Sequence, residues 1–176
     1  KEEIAVKGTC GNNQSLHVTV NRSSKISPPP FMAGMAEVEI DKETGSIEVV
    51  DYVAVVDCGT PVNPNLARVQ TEGGLAQGIG MALYEDIQYN EKGQMRNNSF
   101  MQYKIPCRQD VKKIRVEFAP SYEKSHPFGA KSIGEIVINT PCPAIANAVY
   151  NAVGLRIKEM PITPEKIAMG LLENKI

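Results

Sequence analysis

The segment FGAKSIGEIVINTPCPAIANAVYNAVG, Phe128 to Gly154, sets one carboxylate, Glu135, directly before an apolar run. A carboxylate held among apolar groups costs several kcal/mol unless it is paired or hydrogen-bonded, so its placement asks for a chemical reason. Ile133, Gly134, Ile136 and Val137 flank it and are expected to desolvate it, and desolvation makes a carboxylate a stronger general base near neutral pH. The alternative is a surface couple with Lys131, four residues earlier, worth about a few tenths of a kcal/mol. The only histidines, His17 and His126, stand beside no Gly-x-Ser-x-Gly elbow, which leaves no Ser-His-Asp hydrolase arrangement. His126, in SHPFGAK, is expected in a loop with its ring exposed. Cys10, Cys58, Cys107 and Cys142 form no Cys-x-x-Cys pair, so their spacing supplies neither a zinc site nor an iron–sulfur cluster. They are expected to be reduced, partly buried thiols.

Several elements must hold that carboxylate in place. Residues 34–58 read as a hairpin: Ala36, Val38 and Ile40 alternate with Glu37, Glu39 and Asp41, KETG turns the chain, and IEVVDYVAVVDC returns extended. The returning arm is rich enough in apolar residues to be a central strand covered on both faces. After DCGTPV, the stretch NPNLARVQTEGGLAQGIGMALYE reads as a helix with Asn63 as N-cap and Pro64 at its first position. Leu66, Val69, Gly73, Ala76, Gly80 and Leu83 share one face at helical spacing. Glycines 73, 74, 78 and 80 cost about 1 kcal/mol each against alanine, so either close packing or a close ligand must require them. GGLAQGIG matches neither the dinucleotide nor the P-loop fingerprint.

Further on, DIQYNEKGQMR suggests a second hairpin around Lys92-Gly93, NNSFMQYKIPCRQDV an extended connection and KIRVEF a half-buried strand. A helix is expected from about Pro143 to Val153, stopped by Gly154, and a short one in TPEKIAMGLLENKI with Thr163 as N-cap. LHVTV, in the first thirty residues, is a further short strand. The sum is an α/β chain with α+β character: six to eight strands in a mixed, largely antiparallel arrangement, with about three helices.

Taken together, AEVEIDKETGSIEVVDYVAVVDCGTPVNPNLARVQTEGGLAQGIGMALYED, FMQYKIP and FGAKSIGE resemble, in order and spacing from about Met32 to Val153, the C-terminal part of the molybdenum-binding subunit of the xanthine dehydrogenase and aldehyde oxidase family. The resemblance implies one fragment of a molybdopterin-binding domain, with 32–176 as its main body and 1–31 as an incomplete leading segment. It implies Glu135 as catalytic base, Gln70 (in the Gln-x-Glu-Gly-x-x-x-Gln-Gly motif completed by Glu72, Gly73, Gln77 and Gly78) approaching the molybdenum–pterin cofactor, and the backbone of Lys131, Ser132, Ile133 and Gly134 lying along it. No residue is expected to ligate the metal directly. The glycine-rich helix then admits a bulky pterin and the neighbouring chain. The implied reaction is hydroxylation of a carbon next to a ring nitrogen, with water as the oxygen source and Glu135 taking the proton. The cofactor is expected in its cytosine dinucleotide form, with iron–sulfur clusters and FAD on other subunits or domains.

The wording of the helix and loop favours xanthine dehydrogenase. Another N-heterocycle or an aldehyde is the alternative substrate, because the family's substrate-orienting residues lie upstream of the matching region, and a non-catalytic packing lobe is the alternative of another class. Expected partners are the remainder of the molybdenum subunit, the iron–sulfur and FAD subunits and a small-molecule substrate. Alone, the chain is expected to fold, to lack molybdenum and turnover, and to self-associate. Its 176 residues suffice for one ordinary domain. A charged fraction of 22% with net charge −1 offers no footprint for nucleic acid or anionic lipid. No apolar run reaches the roughly 18 to 20 residues of a bilayer span, and KEEIAVKG has no signal-peptide core, so the cytoplasm is the expected location.

Overall fold

The structure is a computed structural model and describes residues 25–173. LHVTV, Cys10 and His17 lie outside the described residues. Strand β1 (Phe31–Ile40) and strand β2 (Ile47–Asp57) form the expected hairpin. Its turn is closed by Asp41, whose carboxylate accepts from the Glu43 N–H at 2.9 Å and the Thr44 hydroxyl at 2.8 Å, while Gly45 takes a positive φ of 75°. Between Glu37 and Val38 the register shifts, leaving Val50 without an opposite residue. This bulge moves the inward face from Ile47 and Val49 to Tyr52, Ala54 and Val56.

β2 is the central strand, with order β1-β2-β3, and the third strand, β3 (Ile114–Phe118), runs parallel to it. A parallel neighbour needs a crossover, here helix α1 (Pro64–Leu83) followed by a long loop. Arg115 straps β3 to β2 through a two-pronged contact with Asp51, at 3.2 and 2.8 Å. The six to eight strands expected become three among the described residues. DIQYNEKGQMR forms a turn with a single bridge, Tyr89 to Met95, because its apolar side chains Ile87 and Tyr89 stay exposed and bury nothing that would extend a ladder. β2 is covered on one face only: Val55 on the other side is 41% exposed. No helix among the described residues is long and apolar enough to cross a membrane.

Four helices pack against the inner face and its end: α1, the single turn α2 (Ile136–Asn139), α3 (Pro141–Val153) and α4 (Pro164–Glu173). α3 begins two residues earlier than expected, at Pro141, and stops at Gly154 in a left-handed conformation, φ 74°. Thr163 caps α4, accepting from the Lys166 N–H at 3.3 Å. The core gathers Ile47, Val49, Tyr52, Ala54, Val116, Leu75, Ile79, Ile145, Val149, Ile162 and Ile167. Asn63 caps α1 as expected, its side chain accepting from the Leu66 N–H at 3.1 Å.

The buried face of α1 is only partly the expected one. Thr71, Gly74, Leu75, Gly78, Ile79, Gly80, Ala82 and Leu83 face inward, Gly80 and Leu83 as expected, whereas Leu66 and Val69 are 66% and 64% exposed. The stripe rotates because the helix is packed by its glycines: a Cβ on Gly74 would collide with Val137, and one on Gly78 with the Pro141 ring. Gly73 is different, since a Cβ there would meet nothing within 4 Å. The two glycine roles separate by mutation. In the intact protein, Gly78→Ala should lower stability by about 1–3 kcal/mol through overpacking, while Gly73→Ala should raise it by up to about 1 kcal/mol through helix propensity. Denaturant unfolding midpoints that shift equally, or in the opposite order, would contradict this division.

Candidate active site

β2 ends at Asp57, and the chain leaves the sheet through Cys58, Gly59 and Thr60 to enter α1. The loop FGAKSIGE returns beside this turn. Gly59 and Ala130 form an antiparallel bridge, the Thr60 N–H donates to the Gly129 carbonyl at 2.8 Å, and the Lys131 N–H donates to the Cys58 carbonyl at 2.7 Å. Gly59 has φ 67°, and a Cβ on it would run into the Gly129 carbonyl, so no other residue allows this approach. The loop turns tightly just before it docks, with Phe128 at φ 57° and Gly129 at φ 73°.

Side chains reinforce the docking. Asp57 Oδ1 accepts from the Gly59 N–H at 3.1 Å and from the Ser121 hydroxyl, and Oδ2 accepts from Lys131 Nζ at 2.6 Å. The Lys131 side chain is only 9% exposed, and its Nζ lies 5.1 Å from the centroid of the Phe31 ring. The hydrogen bond from Lys131, then those from Ser121 and the Gly59 N–H, hold the Asp57 carboxyl down from 3.8 to about 2. Lys131 therefore pairs with Asp57 and not with Glu135: the short helical spacing that would join the latter two is absent, because residues 131–134 are not helical.

Glu135 stands immediately before α2, exposed. The expected desolvation by its neighbours does not occur within this chain, since Val137 turns inward onto Gly74 and Ile133 and Ile136 are half-buried without covering the carboxylate. Gln70, on α1, reaches across and its Nε2 donates to the Gly134 carbonyl at 3.4 Å. This contact separates two grooves that share Gln70 and Gly134. One, of about 650 Å³, is lined by Gln70, Gly73, Gln77, Glu135 and Asn139 among others; the second, of about 470 Å³, runs between the start of α1 and the backbone of Ala130 to Gly134, past Lys131 and Ile133. Of the residues expected from sequence, Glu135, Gln70, Lys131, Ile133 and Gly134 thus meet at one place, and Ser132 is exposed and lines neither groove. His126 is half-buried rather than exposed, its Nε2 3.0 Å from the Ile26 carbonyl. Cys58 is buried and Cys142 half-buried, whereas Cys107 is exposed, and all three are free thiols.

Sequence reasoning overlooked Asp57, Ser121 and Asn139. Asp57 carried a signal: an aspartate two residues before a glycine at the end of a strand is the pattern of a side chain that accepts from its own backbone two residues on. Ser121 and Asn139 had none. Among the described residues, no three His, Cys, Asp or Glu side chains gather to hold a metal ion.

The sequence profile of the molybdopterin cofactor-binding domain matches residues 5–112. The chain belongs to this family. Within the molybdopterin-binding family, it is 39% identical over 173 residues to the probable hypoxanthine oxidase XdhD of Escherichia coli (strain K12), covering 96% of this chain and 18% of XdhD. The quinoline 2-oxidoreductase of Pseudomonas putida 86 is 37% identical, with TM-score 0.73 over 77% of this chain and 18% of its own. The aldehyde oxidoreductase of Desulfovibrio gigas is 32% identical, with TM-score 0.75 over 81% and 15%. The chain therefore spans about a fifth of the length of the relatives it matches.

The Asp57 cluster makes an acid-stability prediction. Because the folded carboxyl titrates below its unfolded value of 3.8, its contribution is present above about pH 4 and is lost as pH falls through about 2. The stability difference between the parent and Asp57→Asn should be constant near neutral pH and shrink across that acid window. Unfolding midpoints measured from pH 7 downward test it, and a difference that does not change with pH would count against it.

Proposed function

We propose that this chain supplies the general base and part of the cofactor wall of a molybdenum hydroxylase of the xanthine dehydrogenase type. The observation that carries the reading is the groove in which the Glu135 carboxylate, the Gln70 and Gln77 amides and the bare wall at Gly73 converge. A pterin is flat, with hydrogen-bonding edges, and the chain offers it two side-chain amides, an open helix flank at Gly73 and the backbone of Lys131 to Gly134. Those groups fit it. When bound, the molybdenum–pterin group supplies the two-electron oxidation. Glu135 accepts the proton from a water-derived oxygen as that oxygen bonds to an electron-poor carbon beside a ring nitrogen. Gln70 and the Lys131–Gly134 backbone hold the cofactor's edge and keep Glu135 at a fixed distance from it.

A purine is the substrate class we propose, supported by the similarity to XdhD across 96% of the chain. The same proposal includes the rest of a molybdenum subunit, iron–sulfur and FAD units as electron acceptors, and the cytosine dinucleotide form of the cofactor. In the intact enzyme, Glu135→Gln should keep the fold, molybdenum and pterin while lowering turnover about 10²–10⁴-fold. Unchanged turnover would sink the assignment. Gly73→Leu, which fills the bare wall, should leave the unfolding midpoint near that of the parent but reduce the pterin recovered with the protein. Full pterin content in that variant would favour a packing lobe over a cofactor wall.

A further inference from the structure

Asp57 and Lys131 stand behind the site and enter neither the cofactor wall nor the proton transfer by their own charged atoms. Even so, they form the most enclosed ion pair among the described residues: the other three lysine or arginine contacts to Glu48 and Asp51 have cationic side chains 48–60% exposed, against 9% for Lys131. The position of the pair is unusual. Asp57 ends the central strand, the most constrained part of the sheet, and Lys131 lies four residues before Glu135 in a segment without helix or strand. One carboxylate ties three separate stretches together: the turn at Gly59, the 120s segment at Ser121 and the Glu135 loop at Lys131. The Lys131 backbone is fixed as well, through its N–H on the Cys58 carbonyl. Beyond Lys131, the loop before α2 is held by two long hydrogen bonds, from the Gln70 amide to the Gly134 carbonyl at 3.4 Å and from the Ile138 N–H to the Glu135 carbonyl at 3.3 Å.

We infer that Asp57 and Lys131 are positioning residues for the base, a latch that transmits the rigidity of strand β2 to the loop carrying Glu135. This rests on the reading of Glu135 as base. The physical argument is one of leverage. A nucleophile or base displaced by about 1 Å can lose about 10²-fold in rate, and a four-residue irregular segment has enough freedom to move that far unless its start is held on both main chain and side chain. Because Lys131 is enclosed and charged, losing its partner leaves it without compensation, and the segment is expected to rearrange rather than stay in place. Guanidinium can replace ammonium as a donor to a carboxylate, so Lys131→Arg keeps the latch in kind.

The test uses the intact, cofactor-loaded enzyme with three variants: Lys131→Met, Lys131→Arg and Asp57→Asn. Lys131→Met and Asp57→Asn should lower kcat about 10- to 100-fold with KM changed much less, while amide hydrogen exchange at residues 130–135 speeds up and exchange in β1 and α3 stays at parent rates. Lys131→Arg should recover most of the kcat and the exchange protection. A merely structural pair would instead lower the unfolding midpoint and raise exchange throughout the sheet, with kcat per folded molecule unchanged, and that result would overturn the inference. So would parent-like exchange at 130–135 in Lys131→Met. If Glu135→Gln proved fully active, the reading of the base would fall, yet the exchange arm would still decide whether the pair latches the loop.

Discussion

The candidate site in this chain depends on two irregular segments lying edge to edge at the end of a strand. The turn at Cys58–Thr60 and the loop at Gly129–Lys131 trade backbone hydrogen bonds of 2.7 and 2.8 Å across a gap that only a glycine at position 59 permits. Loops rarely meet this way, because each must satisfy its own buried polar groups. Here each supplies what the other lacks, and Asp57 gathers the remaining donors. The carboxylate of Glu135 is then delivered to the open flank of α1, where Gly73 leaves a bare wall. Packing the same helix by Gly74 and Gly78 on the adjoining flank brings α2 and α3 close enough to complete the groove. A single glycine-rich helix thus serves two masters, close packing inward and open space outward.

How much of this was legible in the sequence follows from the range of the forces involved. The hairpin, the central strand, the N-cap at Asn63, the stop at Gly154 and the cap at Thr163 are local events, written in alternation, turn residues and capping residues, and they appear as expected. The face of α1 was misjudged because helical periodicity treats glycine as neutral. In the folded chain, Gly74 and Gly78 mark the side where α2 and α3 sit, and Leu66 and Val69, which look like core, are turned outward. The second hairpin failed for the opposite reason: the turn is present, but no third element covers its apolar side chains, and a two-residue bridge is all that local propensity sustains. Glu135 and Gln70 were singled out through their motifs, and the structure places both on one groove. The turn of Asp57 with Gly59 was legible locally, but its partners Ser121 and Lys131 lie 64 and 74 positions away, contacts that no local pattern announces.

The exposure of Glu135 carries the last step. A carboxylate that is to act as a base is most effective when water is excluded around it, yet within this chain its neighbours face α1 and leave it open. On the proposed reading, the chain supplies the back of the site: the anchoring at the end of β2, the helix wall of α1 and the Glu135 carboxylate. The front of the groove is open in this chain, which spans about a fifth of the length of the relatives it matches. The sheet face beginning at Phe31 and continuing through Met35 and Val55 is uncovered as well, and leaves large apolar side chains exposed. The division is physically sensible. If Glu135 is the base, as proposed, anchoring its loop to the central strand would keep the proton acceptor in position while the surface that closes over it varied in shape, and so in the substrate it admits.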